Sequence, residues 1–566
     1  MESANSLNAE ALAVPAAESM VPSAESMSWK RIRLSVPKAS PSLFARPELS
    51  AAAELVRSNI DRLSGVEFDL QGRSFQRLRL EARWTVVNAA QDYTGRIRGE
   101  TIDDVSFDSL IVAGHQPALF HTGVWAKNFA ISRLAKETNG RALNLIVDND
   151  THSNTRVRVP AGGSRDRLHF ESADFDADRA AVPWEDSLVV DSERFDTFAE
   201  RITRTMRAWN IEPIVNQGWQ AARRVAGETR HLRDALTAAR YSIEQQWGID
   251  NLELPISHVC RQESFLWFAA HLLVNLPRFQ AIHNEVLDEY RIVNRVRSQT
   301  HPVPALSQTD GWLEAPFWVW NAGDAQRRRV FARQSEKTLH LSDGKDEFCV
   351  LPITPEMDAC CAVEAMMALE QHGIRFRTRA LTTTLFSRLL FADLFIHGIG
   401  GAKYDEMSDR IIHRFYGLVP PGFQVISATI HLPFAEPFDI ATDTGDQLTR
   451  KQRDLRYNSQ RVLENAQPPV VESLVSEKKR LIQAEQTKFD GPDDHSVNYD
   501  RFLELRQINL ELQKHTVNQQ RAVAESLSEL KQMQTANAAI QSREYSFCLY
   551  PEQQLRPFLT SVAGLS

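Results

Sequence analysis

Three short strings in this 566-residue chain set titratable side chains among turn-forming ones. The first is Gly114-His115-Gln116-Pro117-Ala118-Leu119-Phe120-His121. An imidazole such as His115 titrates near neutrality and can pass a proton, and Gln116 can orient a carboxylate. The second is Asp148-Asn149-Asp150-Thr151-His152. Two carboxylates and an imidazole suit acid/base work, or a divalent ion held together with His115 or His121. Such an Asx cluster equally suits a turn, and no H-E-x-x-H zinc signature accompanies it, so no metal is assigned. The third is Gly398-Ile399-Gly400-Gly401-Ala402-Lys403-Tyr404-Asp405. Its glycines let a ligand approach the backbone, and Lys403 can neutralise a carboxylate or phosphate. The spacing is neither that of a phosphate-binding P-loop nor that of a G-x-G-x-x-G fingerprint.

The elements around these strings bring them together. Ser109–Ala113 is a short apolar run of the kind found in strands buried on both faces, and it ends at Gly114. Val124–Lys136 has helical apolar spacing, and Leu143–Val147 is a second buried strand ending at Asp148. Strand, helix and strand in this order make a βαβ unit and a parallel sheet. Ligands of open parallel sheets bind outside the carboxyl ends of the strands. The third string also follows a strand-like run, Phe391–His397, with a helix expected from Asp405 to Phe415. Gly114–Phe120, Asp148–His152 and Gly398–Asp405 are therefore expected to border one crevice.

Elsewhere, residues 48–64, 195–248, 262–298 and 379–390 read as helical. Strands are expected at Leu254–Cys260, Arg329–Ala332, Phe348–Leu351 and Phe423–Leu432. The aromatic run Trp312–Trp320 reads as core packing, Arg327–Arg329 as a solvated edge, and Cys360-Cys361 as core. Residues 448–489 and 498–541 are rich in Gln, Glu, Lys, Arg and Leu, and in the second segment Leu505, Ile508, Leu512, Val523, Leu527 and Leu530 follow spacings of three and four, which predicts a coiled-coil helical hairpin. Pro468-Pro469 should break its first arm, and Asp490–Asp494 is its expected tip. Such an arm serves dimerisation or bracing. The aromatic segment after residue 541 is expected to pack back on the core.

Composition narrows the function classes. A net charge of −8 argues against a general nucleic-acid binder. No apolar run reaches the ~18–20 residues of a membrane span. Five cysteines without a C-x-x-C pair fit a reducing compartment. Residues 1–28 have neither a basic start nor an apolar h-region. They predict a disordered tail and a cytoplasmic protein.

The three strings, in this order and followed by a helical arm, resemble the bacillithiol biosynthesis cysteine-adding enzymes (BshC). The family's G-Q-Q-x-G-L-F loop matches GHQPALF at Gly114, Gln116, Leu119 and Phe120. Its acidic G-E-D-H-D strand end is approximated by Asp150 and His152. Its aspartate followed by a G-G-P-G-E-I-A-Y loop is matched by Asp393 and then Gly398, Gly400 and Tyr404. His115 stands where the family has glutamine, and Lys403 has no counterpart.

The resemblance implies a Rossmann-like α/β core over 29–440 with a helical insertion at about 195–300. It also implies a coiled-coil homodimer arm over 441–541 and a returning segment over 542–566. The implied activity is a ligase joining cysteine, or another amino acid, to the amine of an aminosugar such as glucosaminyl malate. His115, Asp150 and His152 would be catalytic. Gly114, Gln116, Phe120, Asp148, Gly398, Gly400, Lys403 and Tyr404 would bind substrate. Amide formation from a free acid needs activation, which brings in ATP or another adenine nucleotide, although no standard ATP motif is present. Two alternatives are a catalytically idle dimeric scaffold and a nucleotide-binding transferase.

Overall fold

The computed structural model describes residues 29, 34–103, 106–324, 326–463, 468–486 and 495–565. The tail expected over 1–28 and the tip expected at Asp490–Asp494 lie outside the described residues. The chain divides into two compact units. The first comprises Met1–Pro160, Phe170–His431 and Arg543–Ser566, and the second comprises Ala161–His169 and Leu432–Ser542.

The first unit is a mixed α/β structure around a parallel sheet. Its strands are β1 (Ser42–Arg46), β2 (Leu110–His115), β3 (Arg141–Ile146), β4 (Leu252–Pro255), β5 (Leu394–His397) and β6 (Gln424–Thr429). They lie in the order β1-β6-β5-β2-β3-β4. Only β1 runs antiparallel, along the outer edge of β6. Strand β2 is buried along almost its whole length, as its unbroken apolar sequence requires of a strand covered on both faces. Taken in chain order, the five parallel strands are arranged 3-2-1-4-5. The order reverses between β2 and β5, which leaves a crevice at their carboxyl ends.

Helices cover the sheet. They include α1 (Phe75–Arg98), α2 (Thr122–Glu137), α3 (Leu232–Gln246), α4 (Ala380–Leu390) and α5 (Ile399–Ile411). Helix α1 starts where the Ser74 hydroxyl accepts the Arg77 N–H, and it stops at Gly99. The φ of 81° at Gly99 is a left-handed conformation that favours glycine. A second sheet joins Trp312–Asn321, Arg328–Ser335, Thr338–Ser342 and Glu347–Leu351 in antiparallel order, and Ile374–Thr378 pairs with Trp312–Asn321. One continuous core runs from Val112 and Leu143 through Phe265 and Phe386 to Phe317 of this second sheet.

The structure departs from the sequence reading at several places. Strand β4 ends at Pro255, and Ile256–Val259 is a helical turn. The turn forms because the Asp148 carboxylate accepts both the N–H and the hydroxyl of Ser257. Helix α5 begins at Ile399 rather than Asp405, with Gly398 extended as its N-cap. The aromatic run Trp312–Trp320 packs the core as expected, through Ala315, Phe317, Val319 and Trp320, but as a strand whose register shifts between Ala315 and Trp318. Pro316 lies inside that shift and has no N–H to give the ladder. Cys360 and Cys361 are exposed, because their helix turns Ala362, Val363, Met366 and Leu369 inward.

Among its described residues the second unit has four long helices: Thr444–Tyr457, Pro469–Gln486, His495–Lys514 and Val517–Ile540. The first arm is interrupted as expected, and Pro469 opens its second helix, since proline at a first helical position forfeits no internal bond. Val471, Ile508 and Leu512 form a small core between two of the helices. Among the described residues, no helix is long and apolar enough to cross a membrane.

Buried and half-buried histidines give the fold a pH response. Burial pushes His121, His152, His271 and His283 down to about 4, and His258 to about 3. Unfolded histidine protonates near its ordinary value of about 6.5, so between these limits the unfolded chain binds more protons. Stability should therefore fall as pH drops from 6.5 toward 4, by up to about 1.4 kcal/mol per pH unit for each histidine. Calorimetric melting between pH 7.5 and 5 checks this, and a Tm that does not fall with acidification contradicts it.

Candidate functional site

The loop after β2 is fixed from beneath. His115 is buried, with Nε2 3.2 Å from Asn128 Oδ1 and Nδ1 3.0 Å from the Gln116 carbonyl oxygen. Its ring lies edge-on to Phe120 at 4.4 Å. Burial first, then the charges of Arg240 and Lys127, push its pKa well below the usual histidine value, so the ring is neutral. The contact continues inward. Asn128 donates to Glu244, Arg240 bridges Glu244 and Glu253, and Asn144 donates to Glu253. Lys127 donates to the Gly114 carbonyl at 2.5 Å, and burial lowers its pKa to about 8. His121 caps α2 by accepting the Gly123 N–H.

The string after β3 sends its side chains in different directions. Asp148 is fully buried, paired with Arg233 at 2.5 Å. Asn149 donates to the Thr378 carbonyl. His152 is stacked on Trp184 at 3.5 Å and bonded to Ser187. Asp150 remains open, with its carboxylate side chain 42% exposed. Gln116 Nε2 donates to Asp150 Oδ2 at 2.5 Å, so the first two strings do meet. Arg327 adds bonds to Asp150 Oδ1 at 3.0 Å and to the Asn149 carbonyl at 2.6 Å. Arg327 is thus not a solvated edge.

Beside Asp150 lies a cavity of about 250 Å³. Trp318, Arg327, Arg379 and the start of α4 form much of its wall. The guanidiniums of Arg379 and Arg327 lie 4.4 and 4.9 Å from the Trp318 ring, within cation–π range. Arg379 Nη1 donates to Glu314 at 2.8 Å, whereas its buried Nε and Nη2 have no hydrogen-bond partner among the described residues. A larger open depression of about 740 Å³ near Asn210 and Glu552 borders none of the loops that follow parallel strands.

The loop after β5 borders open space. A Cβ added at Gly398 or Gly400 would meet nothing within 4 Å. Lys403 is exposed on α5, and Tyr404 is half-buried beside the His301 ring. At the end of β5, His397 Nε2 lies 2.7 Å from Asp405 Oδ2, and Arg388 donates to the same oxygen at 2.8 Å. Burial alone would raise the Asp405 pKa, but Arg388 and His397 hold it well below the usual carboxylate range. Since Asp405 accepts the Nε2 proton, the basic nitrogen of His397 is Nδ1. A Cβ at Gly401 would come within 2.9 Å of Nδ1, so glycine keeps that edge of the ring clear. At the opposite end of β5, Asp393 pairs with Arg79 and Arg83 and accepts the Leu110 N–H. It fastens the sheet and stands apart from the crevice.

His397, Arg379 and Trp318 were not singled out as site residues by sequence. The available signal for His397 was its place at the end of a strand, just before the glycine string. For Trp318 it was an aromatic run beside arginines. No protein-family model matches this chain, and a search of curated proteins finds no significant match.

The two aspartates should behave oppositely on substitution. Asp148→Asn removes one of the two carboxylates paired with the buried Arg233, the other being Asp234, and should lower unfolding stability by roughly 1–3 kcal/mol. Asp150→Asn, at a half-buried position whose carboxylate still reaches solvent, should change it by less than about 1 kcal/mol. Urea unfolding of both variants measures the contrast, and equal losses would refute the assignment of roles.

Proposed function

We propose that the chain is a carbon–nitrogen ligase of the bacillithiol cysteine-adding kind, joining cysteine or another small amino acid to the amine of an aminosugar such as glucosaminyl malate. The observation that carries this reading is the pair of polar arrangements flanking the loop after β2. On one side Gln116, Asp150 and Arg327 are linked beside a small cavity. On the other side His397 is backed by Asp405 next to glycines that border open space. An ammonium cannot attack until it loses a proton. In this reading His397 Nδ1 takes that proton, with Asp405 fixing the tautomer as carboxylates do in catalytic triads. His115, neutral and so donating through one ring nitrogen only, to Asn128 Oδ1 or the Gln116 carbonyl, holds the loop in place. Asp150 pairs with an ammonium, Gln116 orients a carboxylate, and Lys403 meets an anionic group.

The 3-2-1-4-5 order supports a Rossmann-like reading of the core. It also supports ATP or another adenine nucleotide as the activating co-reactant, with its phosphates near the first turn of α5, which has no side-chain cap. The same order favours a second reading, a nucleotide-binding transferase. The helices of the second unit are read as a coiled-coil arm of a cytoplasmic homodimer. The exposed Tyr499, Phe502, Leu503, Leu510 and Val517 support this, since clustered exposed apolar residues mark interaction surfaces.

Mass spectrometry after incubation with cysteine and glucosaminyl malate, with and without ATP, tests the ligase. The expected product is heavier by one cysteine residue. Its rate of formation should drop roughly a hundredfold or more in His397→Gln. No product under either condition would reject the ligase in favour of the transferase. The dimer is tested separately by sedimentation, where the double variant Phe502→Glu/Leu510→Glu is expected to run as a monomer. A monomeric wild-type chain would exclude the arm as a dimer contact.

A further inference from the structure

We infer that the adjacent thiols of Cys360 and Cys361 form a surface site for one thiophilic metal ion of the zinc type, held by both sulfurs and otherwise open to solvent. This site is independent of the ligase reading. Three observations carry it.

The first is the spacing of the thiols. Consecutive residues of a helix point about 100° apart and do not face each other. Cys360 and Cys361 open the helix Cys360–Gln371, yet their Sγ atoms are 3.7 Å apart and in contact. Two thiolates about 2.3 Å from one tetrahedral ion lie about 3.8 Å from each other. The pair already stands at the distance a shared ion requires. A disulfide, at about 2.05 Å, would need the sulfurs to close much further within one helical turn.

The second is access. Both cysteines are exposed, whereas Cys260 and Cys548 are buried and Cys349 is half-buried. Ala362, Val363, Met366 and Leu369 take the inward face of the helix, so packing does not occupy the two thiols. The turn before them is fixed by hydrogen bonds alone. Ala359 donates to the Gln71 carbonyl at 3.0 Å, and Gln71 Nε2 donates to the Pro355 carbonyl at 2.6 Å. The ion is therefore not needed to hold the helix.

The third is charge. Asp358 Oδ1 accepts the Cys360 N–H at 2.8 Å, which sets a carboxylate beside the pair. Contact with Cys361 and with Asp358 pushes the Cys360 thiol up, because ionising it adds negative charge to a group that already carries some. A metal ion reverses that balance, since a coordinating thiol is deprotonated outright. Sulfur ligands select zinc-type ions over magnesium or calcium. Among the described residues, no three His, Cys, Asp or Glu side chains are gathered into a metal cage. The two sulfurs thus leave coordination positions open, unlike the closed set of a structural zinc site, and the ion is exchangeable.

Cadmium titration of the full chain, reduced with a phosphine, reads the site through the ultraviolet absorption of cadmium-bound thiolate. One ion per chain is expected, with release of protons. Cys360→Ser and Cys361→Ser should each weaken binding roughly tenfold or more, and Cys349→Ser should leave it unchanged. Maleimide labelling followed by mass spectrometry gives a second readout on the unaltered chain, so it stands even if a variant fails to fold. Zinc should slow labelling of Cys360 and Cys361 by roughly tenfold or more, and magnesium at the same concentration should not. Absence of thiolate absorption, binding that persists in the double variant Cys360→Ser/Cys361→Ser, loss of binding in Cys349→Ser, or equal protection by magnesium overturns the site.

Discussion

The carboxyl edge of a parallel sheet is the constraint on which this structure turns. Strands β2, β3 and β5 end side by side, and each end leaves backbone groups and polar side chains that have to be satisfied in a crowded place. The chain closes most of that edge with buried charge pairs. Asp148 is matched by Arg233 and Ser257 at the end of β3. Asp405 is matched by Arg388 and His397 at the end of β5. Removing one member of such a pair strands the other in low dielectric, which is the expensive case. The loops are therefore held in position before any ligand arrives.

Beneath β2 the closure is made by a polar chain rather than by hydrocarbon. His115, Asn128, Glu244, Arg240 and Glu253 are linked across α2, α3 and β4. A network of this kind demands one arrangement of its partners, because any shift leaves a buried polar group unpaired. Its consequence for chemistry is indirect. The neutral His115 and the Lys127 bond to Gly114 fix the path of the loop that presents Gln116 outward. Rigid support beneath and open side chains above is the arrangement that positions reacting groups.

The uncommitted groups at this edge are few, and of them Asp150 is open whereas Arg379 and His397 are largely buried. Asp150 offers a carboxylate flanked by a guanidinium. Arg379 offers donors with no internal acceptor among the described residues. His397 offers one basic nitrogen, its other nitrogen being committed to Asp405. In the ligase reading proposed above, Asp150 would meet the cation and His397 would take the proton.

Sequence by itself determined the parts that depend on neighbours in the chain. The apolar run of β2 and that of β3, interrupted by Asn144, with a helix between, pointed to a parallel pair, because a strand covered on both faces cannot alternate. The same local pattern placed Gly114–Phe120 and Asp148–His152 at adjacent strand ends. It could not tell Asp148 from Asp150. Both follow the same strand within a few residues, and what separates them is a partner distant in sequence. Arg233 draws Asp148 inward from 85 residues away, and Arg327 meets Asp150 from 177 residues away. The start of α5 was misplaced because glycines read as loop, whereas Gly398 serves as an extended cap and the glycines after it are helical. The antiparallel sheet that carries Trp318, and the closeness of Arg379 to it, arise from long-range pairing of Trp312–Asn321 with Ile374–Thr378. Such pairing, and the burial that decides which charged groups stay open, is settled only when distant segments share one core.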